Sequence, residues 1–201
     1  MKEFLSWTDE LTKKPAVYQL NSNQQLYIRE ATRSDAAQTL DFIQQLALFE
    51  KAPDECQADL EGIEAMFDRH LARVRFAYLI DGAVDEGQAP ENLSLMCDGD
   101  KHLAKPVGFS LFFEKYTTWQ CAPSMHLEEL FVDELYRGQG IGKLILTDVA
   151  KITAELGYSR LEWVCLDWNT KAQAFYEEQG ARAMSEWITY RLEDESLDKF
   201  K

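Results

Sequence analysis

The segment that most constrains this chain is Arg137–Gly142, RGQGIG, set between the strand-like MHLEELFV at 125–132 and the helix-like IGKLILTDVAKITAEL at 141–156. An extended apolar run, a glycine-rich turn and an amphipathic helix, in that order, specify a strand–loop–helix unit. Main-chain N–H groups at such a helix start, together with the helix dipole, suit a phosphate or pyrophosphate. Glycines at 138, 140 and 142 are expected to let the turn bend and a ligand approach the main chain. The spacing argues against two nucleotide motifs. Gly142-Lys143-Leu144 lacks the hydroxyl of a P-loop, and G-x-G-x-G is a poor fit to the G-x-G-x-x-G dinucleotide fingerprint. What is left is a nucleotide-like cofactor of another kind.

Around this unit the pattern reads as one domain. Residues 1–25 are polar and read as an N-terminal extension, with Phe4 and Trp7 able to dock it, and 196–201 as a tail. Between them, 26–195 alternates strand and helix signals. Tyr27-Ile28-Arg29 starts a strand. Thr32-x-x-Asp35 resembles a capping box before a helix with Leu40, Ile43, Leu46 and Ala47 on one face. A second helix is expected over about 58–71, and strands at 74–80, 107–116 and 125–132. Residues 81–105, rich in Gly, Asp, Asn and Pro, read as a surface insertion. After the 141–156 helix come Gly157 as a C-cap, a strand at 161–168, a short helix capped by Asn169 and ended by Gly180, and a last strand at 186–192. The order β-α-α-β-β-β-α-β-α-β predicts an α/β or α+β domain on one mixed sheet.

Charge and cysteine usage narrow the partners. Thirty-five acidic against 21 basic residues leave a net charge of −14, which argues against nucleic acid. A negative field attracts a cationic amine, provided that acidic residues lie near the site. No run approaches the roughly 18 apolar residues of a membrane span, and MKEFLSWTDELTKK is no signal peptide, so a cytoplasmic protein is expected. Cys56, Cys97, Cys121 and Cys165 form no C-x-x-C pair and read as reduced side chains. His70, His102 and His126 fall in no ligand spacing, so no metal is expected.

The pattern Arg-x-x-Gly-x-Gly at 137–142 resembles the acetyl-CoA signature of the GCN5-related N-acetyltransferase (GNAT) superfamily. LALFE (46–50), LEELFV (127–132), WNTKAQAFYEEQGA (168–181) and Trp187 before the last strand are similar to segments of its spermidine/spermine and thialysine N-acetyltransferase branch. The acidic stretch at 85–104 and residues 1–25 are not part of the animal polyamine enzymes' compact pattern. The resemblance implies a single mixed, mostly antiparallel sheet with helices on both faces and splayed central strands. It implies acetyl-CoA as co-substrate, held by main-chain groups of Phe131 and Val132 on the pantetheine arm. Arg137, Gly138, Gln139, Gly140, Ile141, Gly142 and Lys143 would take the pyrophosphate. Asn169 and Tyr176 would lie near the thioester, with Lys171 reaching a phosphate. Homodimers are common in the family.

Acyl transfer to an amine sets two proton problems. An alkyl ammonium with a pKa of roughly 10.4 must lose a proton before attack, and a departing thiolate, roughly 8.5 as a free thiol, leaves faster when protonated. Glu128 and Glu129 are consecutive on a predicted strand, so only one is expected to face the cleft. Glu128 matches the family's base, acting through water, and Glu129 is the competing assignment. The Phe-Tyr of the family box makes Tyr176 the candidate general acid. Glu50, Trp119, Glu128, Glu129 and Trp187 are the candidates for an acidic, aromatic pocket around a small cation. The expected activity is acetylation of a primary amine of a polyamine, diamine or thialysine-like amino acid in a ternary complex. A protein, peptide or aminoglycoside acetyltransferase, and an acetyl-CoA-binding sensor without turnover, are the alternatives.

Overall fold

In the computed structural model, which describes residues 13–81, 106–193 and 195–201, six strands line up in one sheet in chain order. They are β1 (Ala16–Gln19), β2 (Gln24–Glu30), β3 (Arg73–Asp81), β4 (Gly108–Thr117), β5 (Ala122–Val132) and β6 (Leu161–Glu162). The first five pair antiparallel, and β5 pairs parallel with β6. The helices of this part are α1 (Ala36–Phe49), α2 (Leu60–Asp68) and α3 (Ile141–Glu155). Phe4, Trp7 and most of the expected insertion, 82–105, lie outside the described residues.

The strands are apolar on both faces because both faces are covered. Phe131 and Val132 are neighbours on β5 that alternate as a strand requires. Phe131 enters an aromatic cluster with Phe42, Phe76 and Phe109, while Val132 packs with Leu26, Ile28, Ile141 and Ile145. The first cluster lies under α1. Phe42 stacks on Phe109 with ring centroids 5.1 Å apart and meets Phe76 edge-on at 5.8 Å, geometry that adds about 0.5–1.5 kcal/mol per pair beyond burial. The buried face of α1 is Ala36, Thr39, Phe42 and Leu46, so of the expected Leu40, Ile43, Leu46 and Ala47 stripe Leu46 is buried, Ile43 packs partly buried against the cluster, and the centre of the face falls at Phe42. Helix entry follows the expected cap: Asp35 Oδ2 accepts the Thr32 N–H at 2.8 Å, and Arg29 grips the same carboxylate through two 2.9 Å bonds.

A buried ion pair locks α3 to the sheet. Asp148 accepts from Arg75 Nε at 2.6 Å and from the Tyr18 hydroxyl at 3.1 Å, and both charged side chains are almost fully enclosed. Tyr18 belongs to β1, so a stretch placed by sequence in the N-terminal extension supplies an edge strand of the sheet.

Two expected strands come out differently. Past Glu162, WVCLDW leaves the sheet, so β6 pairs with β5 only at Met125 and His126. Beyond His126, among the described residues, β5 has no strand on that side. The segment 186–192 forms no strand. It puts Trp187 and Ile188 side by side, which would need cover on both faces, and among the described residues Trp187, Ile188, Tyr190 and Leu192 are 65%, 74%, 89% and 60% exposed.

The chain divides into two compact units after Val164. The second holds α4 (Thr170–Glu178), capped by Asn169, whose Oδ1 accepts the Ala172 N–H at 3.2 Å. Gly180 ends α4 in the left-handed region at φ 89°. A last turn of helix, α5, spans Glu195–Asp198.

Candidate functional site

The open edge of β5 leads into the glycine-rich loop. After Val132 a short 3-10 turn, Glu134–Tyr136, is capped by Asp133, and the chain then enters α3 through Gly140. Gly138 and Gly140 sit at φ 77° and 86°, a region that costs a residue with a Cβ roughly 1–2 kcal/mol. Gly142 differs. It is already helical, and a Cβ there would meet Val132 Cγ2 and Leu130 Cδ2 at 3.7 and 3.9 Å, ordinary contact. The turn geometry therefore needs glycine at 138 and 140, and at 142 only a close ligand would. A Cβ at Gly138 would meet nothing within 4 Å. Bare glycines and the positive end of α3, whose N-cap Gly140 offers no side-chain cap, fit the pyrophosphate of acetyl-CoA.

The loop's side chains divide by role. Ile141 is buried in the core and offers a ligand only its main chain, whereas Gln139 and Lys143 are exposed. Phe131 and Val132 are likewise buried, so their peptide groups alone face the open edge. Arg137, also exposed, folds back onto β5 and α1. Its Nε donates to the Val132 carbonyl at 2.8 Å, and its guanidinium lies 4.4 Å from the Phe49 ring centroid and 5.3 Å from that of Phe131. Phe49 ends α1 directly before Glu50, so Arg137 ties the loop to the helix end that bears an acidic candidate.

The acidic candidates meet at an irregularity in β5. Leu111 pairs with Glu129 and Phe112 with Leu127, so Glu128 is the extra residue of a β-bulge. The bulge breaks the alternation on which the sequence argument placed Glu128 and Glu129 on opposite faces. Glu128 is half-exposed, and its Oε2 lies 3.2 Å from His126 Nε2. Glu129 is largely buried. Burial, then the negative charge of Glu50, then that of Glu128, push its carboxyl up to about 8. Burial also raises Glu50. Among the described residues, burial, Glu50 and Glu128 all disfavour the charge of Glu129, so the three carboxyls form one electrostatic group.

Other candidates stand elsewhere. Trp119 lies on the β4–β5 turn, 89% exposed. Glu129 is seven residues further along β5 than Ala122, ~23 Å at strand rise, so Trp119 is not brought to the acidic group within one chain. In the second unit, Asn169 caps α4, Lys171 is exposed, Tyr176 packs against Phe175 at 5.1 Å between ring centroids, and Trp187 is on the exposed tail. His126 and Phe49 were not foreseen. The i,i+2 spacing of His126 and Glu128 on a strand was the available signal for the first. Among the described residues no group of three His, Cys, Asp or Glu is arranged to hold a metal. No helix among them is long and apolar enough to cross a membrane.

A mostly antiparallel mixed sheet with a bulged β5, followed by a glycine loop and helix, agrees with the fold that the sequence resemblance implies. The model of the acetyltransferase (GNAT) family matches residues 54–181, and the chain belongs to that family. It is an N-acetyltransferase. The chain is 31% identical over 173 residues to the thialysine N-epsilon-acetyltransferase of Bos taurus, covering 85% of this chain and 94% of that protein. It is 43% identical over 91 residues to an L-ornithine N5-acetyltransferase of Arabidopsis thaliana, a match that spans 45% of this chain and only 40% of that one. Among solved structures it resembles an integron cassette protein from the mobile metagenome of V. cholerae, with a TM-score of 0.63 at 19% identity over 87% of this chain and 96% of that one. That last likeness is one of fold.

Proposed function

We propose that the protein acetylates the primary amine of a small cationic substrate, taking the acetyl group from acetyl-CoA by direct transfer with both bound. The observation that carries this reading is Glu129, buried beside Glu50 with carboxylates rather than a cation for company. A carboxyl kept protonated by burial and like charges ionises readily when an ammonium is placed beside it, so such a group suits a cationic ligand. Thialysine and ornithine, the substrates in the relatives' names, each present a primary ammonium on a short chain.

Acetyl-CoA, when bound, supplies an activated thioester carbonyl. The main chain of Arg137–Gly142, with Lys143, holds the pyrophosphate, and the peptide groups of Phe131 and Val132 hold the pantetheine arm along the open edge of β5. Glu50 and Glu129 hold the ammonium. Glu128, half-exposed, takes the proton from the reacting nitrogen through a water, freeing the lone pair for attack. Tyr176 gives its phenolic proton to the departing sulfur, and Asn169 and Lys171 support the cofactor end. The exposed Trp187, Ile188, Tyr190 and Leu192 fit an interface with a second copy of the chain, and the Cys56 and Cys121 thiols fit a reducing, cytoplasmic setting.

Initial rates with acetyl-CoA over a panel of thialysine-, ornithine-, cadaverine- and spermidine-like amines, peptides and an aminoglycoside test the reading. A small aliphatic amine is expected to give the highest kcat/KM. Saturable acetyl-CoA binding without product from any amine would turn the assignment to a sensor, and negligible CoA affinity by calorimetry would end it. Tyr176→Phe is expected to lower kcat tenfold or more, since a positioned acid contributes roughly 10²–10⁴.

A further inference from the structure

His126 stands two residues before Glu128 on β5, register-paired with Phe113 on β4 and with Glu162 on β6. Its side chain is only 13% exposed, and its ring lies 5.0 Å from the Phe113 ring between centroids. Nε2 is 3.2 Å from Glu128 Oε2, while Nδ1 is enclosed and has no hydrogen-bond partner among the described residues. The two nitrogens decide the protonation state. Nε2 must carry the hydrogen to bond a carboxylate, and an enclosed, unpartnered Nδ1 is tolerable as a bare lone pair but costly as an N–H. The ring is thus a neutral Nε2–H tautomer.

We propose that His126 is the positioning residue of the catalytic carboxylate, donating from Nε2 to one oxygen of Glu128 and so aiming the other at the water that deprotonates the amine. The proposal rests on the reading of Glu128 as the base. A carboxylate on a half-exposed bulge has several rotamers, and one fixed hydrogen bond selects among them. The surroundings keep the imidazole in its donor role at neutral pH. Burial, then the neighbouring Lys115, hold its pKa below the usual histidine range, against the opposing pull of Glu128 and Glu162. Glu162 is itself occupied by Lys115 and Arg160. Below that range the ring becomes a cation, the bond to Glu128 turns into a full ion pair, and the carboxylate is a weaker acceptor for the amine's proton.

Gln places its amide nitrogen as far from the backbone as Nε2 and cannot titrate, so His126→Gln keeps the donor and His126→Leu removes it. With acetyl-CoA and the best amine of the panel, His126→Leu is expected to lose at least tenfold in kcat with KM for acetyl-CoA unchanged. His126→Gln should regain most of that loss and hold its rate at acidic pH, where the wild type falls. Nitrogen-15 NMR of the imidazole should show the Nε2–H tautomer, with a titration that moves further down in Glu128→Gln. An Nδ1–H tautomer, or a titration indifferent to Glu128→Gln, overturns the proposal, as does wild-type kcat in His126→Leu. Wild-type kcat in Glu128→Gln overturns instead the assignment of the base, a separable result. Equal losses in the Leu and Gln variants, with a lowered melting temperature in both, would show a packing role and also refute it.

Discussion

Asp148 and Glu129 are both carboxyl groups removed from water in the sheet domain, and they keep different company. Asp148 has the Arg75 guanidinium at 2.6 Å and the Tyr18 hydroxyl at 3.1 Å, three elements closing around one charge. Glu129 has Glu50 and Glu128, and its carboxyl is driven up to about 8. The first arrangement is finished without a ligand and holds α3 against β1 and β3. The second has no such cation among the influences that shift it, and in the proposed function the substrate ammonium supplies one. In a molecule with a net charge of −14, what separates the two carboxyls is local compensation, which Asp148 has and Glu129 lacks among the influences that shift it.

The comparison is broken most severely at the finished pair. Asp148→Ala takes from the buried Arg75 guanidinium the carboxylate that accepts from its Nε and Nη2, and is expected to cost about 3–5 kcal/mol, read as a drop in the urea midpoint. The double variant Arg75→Met/Asp148→Leu should recover most of that loss, because an apolar pair of similar volume pays no desolvation. Asp148→Ala equally stable with wild type would show that the pair does not anchor α3.

Glu129→Gln should act with the opposite sign. A carboxyl whose folded value lies above its unfolded one of 4.5 gives full stability at acidic pH and loses it as pH rises towards 8. The amide has no such loss, so at pH 9 the variant is expected to be more stable than wild type by about 2–4 kcal/mol, and equal to it near pH 4. The same variant should raise KM for the cationic amine at least tenfold. Calorimetry at pH 7 in buffers of different ionisation enthalpy should find about one proton released per amine bound by the wild type, and none by Glu129→Gln. Amine binding without proton release would mean that Glu129 does not meet the ammonium.

Smaller effects sharpen the contrast further. Glu50→Gln removes a like charge, so Glu129 should titrate closer to the ordinary carboxylate range, with a several-fold rise in KM for the amine. Gly142→Ala should leave stability within about 1 kcal/mol, since its Cβ makes only ordinary contacts, yet raise KM for acetyl-CoA if the pyrophosphate lies on that face. An unchanged KM would move the phosphates away from Gly142.

Legibility followed the range of the interactions. The Thr32–Asp35 cap, Gly157 and Gly180 as helix ends, and Asn169 as the cap of α4 all formed as expected, because each is settled within a few residues. The strands over 73–81, 108–117 and 122–132 were equally plain from apolar runs that both sheet faces require. The segments 161–168 and 186–192 carry similar apolar runs, but pairing needs a neighbour, and composition does not supply one. Arg75–Asp148 joins residues 73 apart in sequence, and nothing in either neighbourhood marks them. The bulge at Glu128 was hidden for the same reason: register is a property of two strands, and the alternation rule holds only until one of them has a residue too many.

By itself the sequence determined that a strand, a glycine turn and a helix meet at 125–156, and that the chain carries the markers of acetyl transfer, because hydrophobic period, turn chemistry and short motifs are local. The tertiary structure alone decided which carboxyls lie in the dark, which of them find a cation, and where the sheet parts. Desolvation and charge pairing depend on what the fold brings within a few ångströms, and segments far apart in the chain supply it.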